Sequence, residues 1–275
     1  MKLTRFELDG EDGIGVVSGN GAVPTGYRTL SDFIADGERA IERADEQSAS
    51  GEVVDVSRPL VPFTQPGKML FCGLTHEHAR VGKPDLPPDP FVFAKLPHTL
   101  TASREDIVLP YAEIEACWEV EVAIIIGRRA SEVSIEEAEA HIFGYGVIND
   151  ISPMNEMTDD WMCPITLLKN YDTFCPIGPE IRVARDFDTS DLKMTTHVNG
   201  EVRQQGSTAD LVFPIPELVS WLSHRMTLYP GDVIGTGSPA GVEPAAPGDE
   251  ITCEVEGVGA VTNPVVAKSA SRSKP

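Results

Sequence analysis

The composition of this chain excludes several classes of protein. It has 275 residues, of which 41% are hydrophobic, and a formal net charge of -21 from 43 acidic and 22 basic residues. A chain of this length can form one large domain, or one medium domain with a small appendage. The excess of acidic residues argues against a nucleic-acid partner, because binding to phosphates needs a basic surface.

The sequence indicates a cytoplasmic protein without a membrane segment. The N-terminus has no apolar stretch typical of a signal peptide, and no apolar run reaches the length of about 18 residues that a transmembrane helix needs. An odd number of cysteines without a C-x-x-C pair predicts reduced, buried thiols rather than disulfides or a zinc site. The five cysteines are Cys72, Cys117, Cys163, Cys175 and Cys253.

Residues 1–65 are predicted to form a small α+β domain. Two short strands are expected at residues 3–8 and 15–18, followed by an amphipathic helix over about residues 31–45, where apolar residues recur near helical spacing. The proline-rich stretch at residues 58–67 then predicts a linker to the rest of the chain.

From residue 69 the sequence consists mainly of short apolar segments, which predict a second, mainly β domain over residues 66–268. A capping box of Ser134 and Glu137 predicts a helix at residues 138–142, and a second helix is expected at residues 215–224. Asn199-Gly200 predicts a hairpin turn. Strands are expected at residues 69–74, 90–96, 107–109, 118–126, 143–148, 194–198, 201–204, 233–236 and 251–255, and a disordered tail at residues 269–275. Many strands and few long helices indicate an α+β, mainly β fold class.

Two glutamates lie in an otherwise apolar segment. The run CWEVEVAIII at residues 117–126 predicts a buried strand, and residues two apart in a strand point to the same face. Glu119 and Glu121 are therefore expected side by side. Two adjacent buried carboxylates repel each other, and a divalent cation stabilises both in the ionised form. Asp150, which closes the apolar run at residues 144–149, is the expected third ligand.

This set of ligands favours a particular class of metal. Three carboxylates with positions left for water suit Mg2+ or Mn2+ rather than Zn2+, which prefers nitrogen and sulfur ligands. The alternative is an edge strand whose glutamates face water, because apolar and polar residues commonly alternate in antiparallel sheets.

His78 and Lys169 are candidates for the chemistry. His78 follows a predicted strand, and as a loop histidine it could act as a general base, since an unperturbed imidazole titrates near pH ~6.5. The alternatives are a zinc site that begins with His76 and His78, or a surface histidine without a role. Lys169 lies in a polar insertion between apolar segments, where it could bind an anionic substrate or stabilise a developing enolate, or be an ordinary surface lysine.

Thr236 and Gly237 begin the small-residue loop TGSPAGV at residues 236–242. Such a loop after a strand can offer hydroxyl and backbone N–H groups to an oxygen atom of a ligand. It lacks the lysine of a phosphate-binding loop, so a nucleotide site is not expected there.

Together these segments resemble the fumarylacetoacetate hydrolase family in order and spacing over residues 66–265, in particular its acylpyruvate hydrolase and 2-hydroxyhepta-2,4-diene-1,7-dioate isomerase branch. The matching segments are CGL at 72–74, HA at 78–79, FVFAK at 91–95, WEVE at 118–121, GY at 144–145, ND at 149–150, Lys169, DTFCPIGP at 172–179, VNGE at 198–201, MTL at 226–228, GDVI at 231–234 and TGSPAGV at 236–242.

The resemblance implies a mixed β-roll catalytic domain, a homodimer, and Mg2+ or Mn2+ on Glu119, Glu121 and Asp150. It also implies small anionic 2-oxo or 2,4-dioxo acid substrates, with Lys169 holding negative charge and His78 activating water or moving a proton. We therefore expect a hydrolase that cleaves a carbon-carbon bond in an acylpyruvate-like substrate in catabolism. The alternatives are an isomerase or decarboxylase of a 2-oxo acid such as oxaloacetate at the same site, or a metal-binding member with impaired catalysis.

The chain departs from the family pattern at two places. Many members have a glutamate three residues after the histidine, and this chain has Val81 there. Where members often carry an arginine and a glutamine after the Asn-Asp pair, this chain has Met154 and Met157. The first departure puts water activation by a histidine-glutamate pair in doubt: either Glu77 or another acid substitutes, or the chemistry does not need an activated water. The second departure indicates a less polar or differently shaped pocket.

Overall fold

The computed structural model describes residues 1–49, 51–56, 58–81, 86, 88–157 and 164–268. With 38% strand and 19% helix, it confirms the α+β, mainly β fold class. The predicted tail at residues 269–275 and Cys163 lie outside the described residues. The other four cysteines are buried free thiols, as expected.

The strands are numbered in chain order. They are β1 (Lys2–Leu8), β2 (Glu11–Ser18), β3 (Gly21–Pro24), β4 (Val54–Asp55), β5 (Met69–Gly73), β6 (Phe91–Ala94), β7 (Leu100–Ala102), β8 (Ile107–Leu109), β9 (Ala116–Cys117), β10 (Val120–Ile126), β11 (Ile142–Asn149), β12 (Ser152–Pro153), β13 (Cys175–Ile177), β14 (Glu180–Val183), β15 (Lys193–Val198), β16 (Glu201–Ser207), β17 (Val233–Gly235), β18 (Glu250–Val255) and β19 (Gly259–Ala267).

The helices are shorter and fewer. They are α1 (Leu30–Asp36), α2 (Glu38–Ser48), α3 (Glu77–Arg80), α4 (Ile135–Ala138), α5 (Ile165–Leu168) and α6 (Ile215–Ser223), with single 3-10 turns at Pro97–Thr99, Glu139–His141 and Thr208–Asp210. Within the described residues, no helix is long and apolar enough to cross a membrane.

Most described strands belong to two sheets. The larger has twelve strands in the order β4-β3-β2-β1-β14-β11-β10-β17-β5-β6, with β13 and β7 joined to it through β11. The second has the order β16-β15-β18-β19-β8. Strand β1 pairs antiparallel with β14, so the N-terminal strands extend the same sheet that contains β10. The boundary between a domain at residues 1–65 and one at residues 66–268 stays a prediction.

Strand β10 lies in the interior of the larger sheet and is buried on both faces. It pairs with β11 on one side and β17 on the other. Val122 and Ile124 lie on one face of this strand, in one apolar cluster. Ala123 and Ile125 lie on the opposite face, in a separate apolar cluster. Glu121 therefore shares its face with Ala123 and Ile125, and the alternative of a solvent-exposed edge strand is excluded.

Two of the predicted helices differ from the structure, and other local predictions agree with it. The helix predicted at residues 138–142 is wrong, because the helix begins directly after the Ser134 cap: α4 covers Ile135–Ala138, a 3-10 turn follows at Glu139–His141, and Ile142 begins β11. Ser134 and Glu137 form the predicted capping box, and Asn199-Gly200 joins β15 to β16 as a hairpin. The single helix predicted for residues 31–45 is wrong. Gly37 divides it into α1 and α2, because its positive φ of 59° and ψ of -128° are incompatible with a continuous helix.

Candidate metal centre

The pairing of β10 with β11 brings the three predicted carboxylates together. Val120 lies opposite Asn149 in the antiparallel register, so Asp150 follows the last paired residue and comes next to Glu119. Two hydrogen bonds hold this corner: the Asp150 N–H donates to the Glu119 carbonyl oxygen at 2.9 Å, and the Glu119 N–H donates to Asn149 Oδ1 at 2.9 Å. Glu119 itself precedes β10 and is not part of the strand.

The carboxylates form one compact, buried cluster. Each offers a ligand oxygen, and these atoms lie within 4.8 Å of one another. Glu121 is 2% exposed, and its Oε2 atom has no hydrogen-bond partner among the described residues. Burial raises the pKa of Glu121 well above its usual range, and the charges of Asp150 and Glu119 raise it further. A divalent cation would satisfy the unpartnered oxygen and offset this repulsion, so the three residues fit Mg2+ or Mn2+.

Two lysines supply part of the neutralising charge. Lys169 Nζ donates to Glu119 Oε2 at 2.8 Å and to Asp150 Oδ2 at 2.6 Å, and it is buried. Burial alone would lower the pKa of Lys169, but Asp150 and Glu119 outweigh it and raise that pKa. Conversely, burial would raise the pKa of Asp150, and the two lysines, Lys169 and Lys95, together lower it.

Lys95 is a site residue for which the sequence predicted no individual role. Its Nζ donates to Asp150 Oδ1 at 2.5 Å and to the carbonyl oxygens of Ile151 and Phe174 at 3.2 and 2.7 Å. The signal in the sequence was a lysine at the end of the apolar segment at residues 91–95, where an unpaired charge could not be buried.

Ser152 is a second site residue for which the sequence predicted no role. Its Oγ lies 2.8 Å from Glu119 Oε2 and 2.9 Å from the Asp150 carbonyl oxygen, and its single O–H can donate to either one. Both contacts lie beside the carboxylates, so Ser152 orients Glu119 relative to Asp150. A serine two residues after an aspartate gives no distinctive signal in the sequence alone.

Thr236 and Gly237 lie against the same cluster. Thr236 Oγ1 accepts from the Val122 N–H at 3.1 Å, so its hydroxyl contacts β10. A hydrogen bond from the Gly237 backbone acts to lower the pKa of Glu121. Gly235 faces Glu121 directly, because a Cβ atom there would lie 2.4 Å from Glu121 Oε2. The role of Thr236 and Gly237 in substrate binding stays a prediction.

The histidines lie on the loop that follows β5. His78 is on the exposed side of α3, and His76 is buried behind it with ring centroids 6.1 Å apart. Burial lowers the pKa of His76 to about 4, so this imidazole is neutral near pH 7. Val81 is 75% exposed. The loop is tied to the metal centre through Thr75, whose hydroxyl donates to the Thr236 carbonyl oxygen at 2.7 Å.

Several known proteins are similar to this chain. A family model described as fumarylacetoacetate (FAA) hydrolase C-terminal matches residues 71–266. A mitochondrial oxaloacetate tautomerase of Bos taurus is 35% identical over 97% of this chain and 92% of that protein. The crystal structure of 5-carboxymethyl-2-hydroxymuconate delta-isomerase from Mycobacterium smegmatis is 33% identical, with a TM-score of 0.80, over 98% of this chain and all of that chain.

A further similar structure contains a metal ion. Maleylpyruvate hydrolase from Sphingobium sp. SYK-6, in complex with manganese (II) ion and pyruvate, is 28% identical with a TM-score of 0.84. The alignment covers 98% of this chain and 100% of that chain. The buried carboxylate cluster and this similarity are consistent with a divalent-metal site in the present chain.

Proposed function

The chain belongs to the fumarylacetoacetate hydrolase family of enzymes, and we propose that it is a divalent-metal-dependent isomerase that interconverts the keto and enol forms of a 2-oxo acid such as oxaloacetate. This proposal takes the isomerase alternative of the sequence analysis in preference to carbon-carbon bond hydrolysis. It is supported by the similarity to an oxaloacetate tautomerase over nearly the whole chain.

The observation that carries the choice is the similarity to an oxaloacetate tautomerase, and Val81 is consistent with it. Hydrolysis needs an activated water molecule, and a carboxylate that orients a histidine makes the imidazole a stronger base. The position three residues after His78, where many family members carry that carboxylate, holds an exposed valine. Tautomerisation needs only the movement of a proton between carbon and oxygen, so it does not depend on an activated water.

The charges of the site suit an anionic substrate. Three carboxylates and two lysine ammonium groups leave one net negative charge when all are ionised. A divalent cation on Glu119, Glu121 and Asp150 reverses that sign. The site would then attract an oxo acid in spite of the overall net charge of -21.

Each residue has a defined part in the proposed reaction. When bound, Mg2+ or Mn2+ polarises the carbonyl group of a chelated oxo acid. Lys169, oriented by Glu119 and Asp150, holds the negative charge that develops on oxygen. His78 moves the proton to and from carbon, and its place on an exposed helix gives it access to solvent. Thr236 and Gly237 contact the oxygen atoms of the substrate.

Hydrolysis of an acylpyruvate-like substrate is the second candidate. It is favoured by the similarity to the maleylpyruvate hydrolase whose structure contains manganese and pyruvate. The same polarised carbonyl would serve that reaction, with water as an additional reactant. A homodimer in the cytoplasm and a role in catabolism also stay proposals for either reaction.

Product analysis with two substrates tests the proposal. With Mn2+ present, the wild-type protein should accelerate the loss of the enol absorbance of oxaloacetate without accelerating the release of CO2. It should not cleave a 2,4-dioxo acid into two acids. Lys169→Met should lower the tautomerisation rate by about 100-fold or more, whereas Lys193→Met, on an exposed position of β15, should leave it unchanged. Rapid cleavage of the dioxo acid without tautomerisation would contradict the isomerase and support the hydrolase.

A further inference from the structure

Gln204 is a buried amide on an exposed edge strand. It is 1% exposed and is the only buried residue of β16, which forms the edge of the second sheet. A fully buried amide has two acceptor positions and two donors that must find partners. Gln204 satisfies them all, on three different segments of the chain.

The acceptor side of Gln204 faces the two sheets. Its Oε1 accepts from Thr196 Oγ1 at 2.8 Å, within the second sheet, and from the Val120 N–H at 3.3 Å. Val120 lies between Glu119 and Glu121 at the start of β10. The amide oxygen therefore connects the second sheet to the first residue of β10, which lies between two of the three carboxylates.

The donor side faces the loop at residues 236–241, hereafter the ligand loop. Gln204 Nε2 donates to Ser238 Oγ and to the Pro239 carbonyl oxygen, both at 2.8 Å. These two bonds hold the centre of the loop. Its first residue, Thr236, is held by β10 through the contact with Val122.

The backbone of β16 is shaped to receive the ligand loop. A Cβ atom on Gly206 would lie 2.3 Å from Pro239 Cβ, and one on Gly241 would lie 3.0 Å from the Arg203 carbonyl oxygen. Gly241 also has a φ of 100°, which favours glycine. The close approach of strand and loop leaves the Gln204 amide as the polar link between them.

We propose that Gln204 is a positioning residue that sets the distance between the metal-binding strand and the ligand loop, and through that distance the affinity for the oxo acid. The inference rests on the proposed function, because the ligand loop is assigned there to the oxygen atoms of the substrate. Gln204 acts through Ser238 and Pro239 and leaves the three carboxylates in place.

Three variants separate this role from simple packing. Gln204→Met removes all four hydrogen bonds at similar volume. Gln204→Glu keeps the two acceptor contacts and loses the two donors, so it releases the loop specifically. Thr196→Val is the matched control, because it removes a buried partner of the same amide oxygen and leaves the bonds to the loop intact.

Binding of Mn2+ and then of oxalate, measured by calorimetry, distinguishes the outcomes. Both Gln204 variants should bind Mn2+ within about 3-fold of wild type but bind oxalate about 10-fold or more weakly, because small displacements of a positioned group have large effects. Thr196→Val should lower the thermal unfolding midpoint and leave the oxalate affinity unchanged.

Different results would overturn the proposed function and the positioning role of Gln204. Failure of the Mn2+-loaded wild-type protein to bind oxalate would overturn the proposed function, and this inference with it. Normal oxalate binding by both Gln204 variants would overturn the inference alone. Equal weakening in Thr196→Val would overturn it as well, since a variant with an intact loop contact should not be affected.

Discussion

At the scale of single residues, the metal centre shows how like charges are tolerated in a protein interior. Three buried carboxylates each have an oxygen within 4.8 Å of the others, and among the described residues two of them form ion pairs with lysine. Glu121 is the exception, with one oxygen that has no partner among the described residues. Because an isolated buried carboxylate is costly, the protein stabilises Glu121 either by protonation or by a cation.

We expect Glu119→Ala, Glu121→Ala and Asp150→Ala each to weaken Mn2+ binding by about 100-fold or more, because each removes an anionic ligand from a largely dry site. Calorimetric titration measures the affinity. Glu201→Ala, at an exposed position of β16, is the control and should bind normally. Unchanged affinity in all three site variants would show that the cluster does not bind metal.

The pKa of Glu121 predicts how stability depends on pH. Burial raises this pKa, followed by the charges of Asp150 and Glu119, so the metal-free folded state retains a proton that the unfolded chain loses above about pH 4.3. At pH values between the pKa of Glu121 in the unfolded chain and its higher pKa in the folded protein, the folded state binds more protons than the unfolded state. The stability of the metal-free protein therefore falls as pH rises through this range. Mn2+ binds the ionised form of Glu121 and offsets this loss of stability.

The expected observation is a shift of the thermal unfolding midpoint on addition of Mn2+ that grows from about pH 5 to about pH 8. Unfolding followed by circular dichroism at several pH values measures it. Glu121→Gln cannot lose a proton at this position, so its metal-free stability should depend less on pH. A shift by Mn2+ that is the same at every pH would contradict the protonation of the free site.

At the scale of elements, the strands that flank the site need residues without side chains. Gly235 ends β17 where Glu121 and Phe71 leave no room, since a Cβ atom would lie 2.4 Å and 2.6 Å from atoms of those side chains. Gly146, in the neighbouring strand β11, has more room for an added Cβ atom. Its nearest neighbour would be the end of the Ile181 side chain at 3.2 Å.

Gly235→Ala should therefore lower both Mn2+ affinity and stability, because the new methyl group displaces Glu121 or Phe71, and overpacking of a core costs about 1–3 kcal/mol. Gly146→Ala is the matched control, for which the Ile181 side chain can move. We expect it to retain Mn2+ affinity. Metal titration and thermal unfolding of the two variants make the comparison, and equal Mn2+ affinities would argue against contact of Gly235 with the site.

At the scale of the whole molecule, the N-terminal elements and the metal centre share a sheet and a core. Strand β1 pairs with β14, and Phe33 of α1 packs against Phe143 of β11 with ring centroids 5.9 Å apart. Leu3 and Phe33 belong to the same apolar cluster as Ile125 of β10. Residues 1–65 and the remainder are therefore expected to unfold together.

Phe33→Ala tests this coupling. We expect it to destabilise the protein by about 3–5 kcal/mol, as is typical for a buried phenylalanine. All tryptophans lie after residue 66, at positions 118, 161 and 221, so their fluorescence reports on the larger part of the chain. Fluorescence and circular dichroism should show the same lowered midpoint. A normal tryptophan transition would instead indicate an independent N-terminal domain, and Leu8→Ala, at an exposed position, is the control.

Much of this arrangement could be predicted from local patterns. The alternation of residues in the segment at 117–126 predicted that Glu119 and Glu121 point to one side, and the capping box and the Asn199-Gly200 turn predicted a helix and a hairpin. These features depend on neighbours in the chain, whose spacing is printed in the sequence. The mainly β fold class follows from the same patterns.

Contacts between distant residues were decided only by the tertiary structure. The register of β10 on β11 places Asp150 beside Glu119, and the packing of the second sheet brings Gln204 to Val120. Lys95 reaches Asp150 across 55 residues. No local pattern reports such pairs, because the partner of a buried polar group is chosen by how sheets stack and not by sequence distance. The sequence therefore determined which residues can bind a cation, and the folded chain determined which charges and hydrogen bonds surround them.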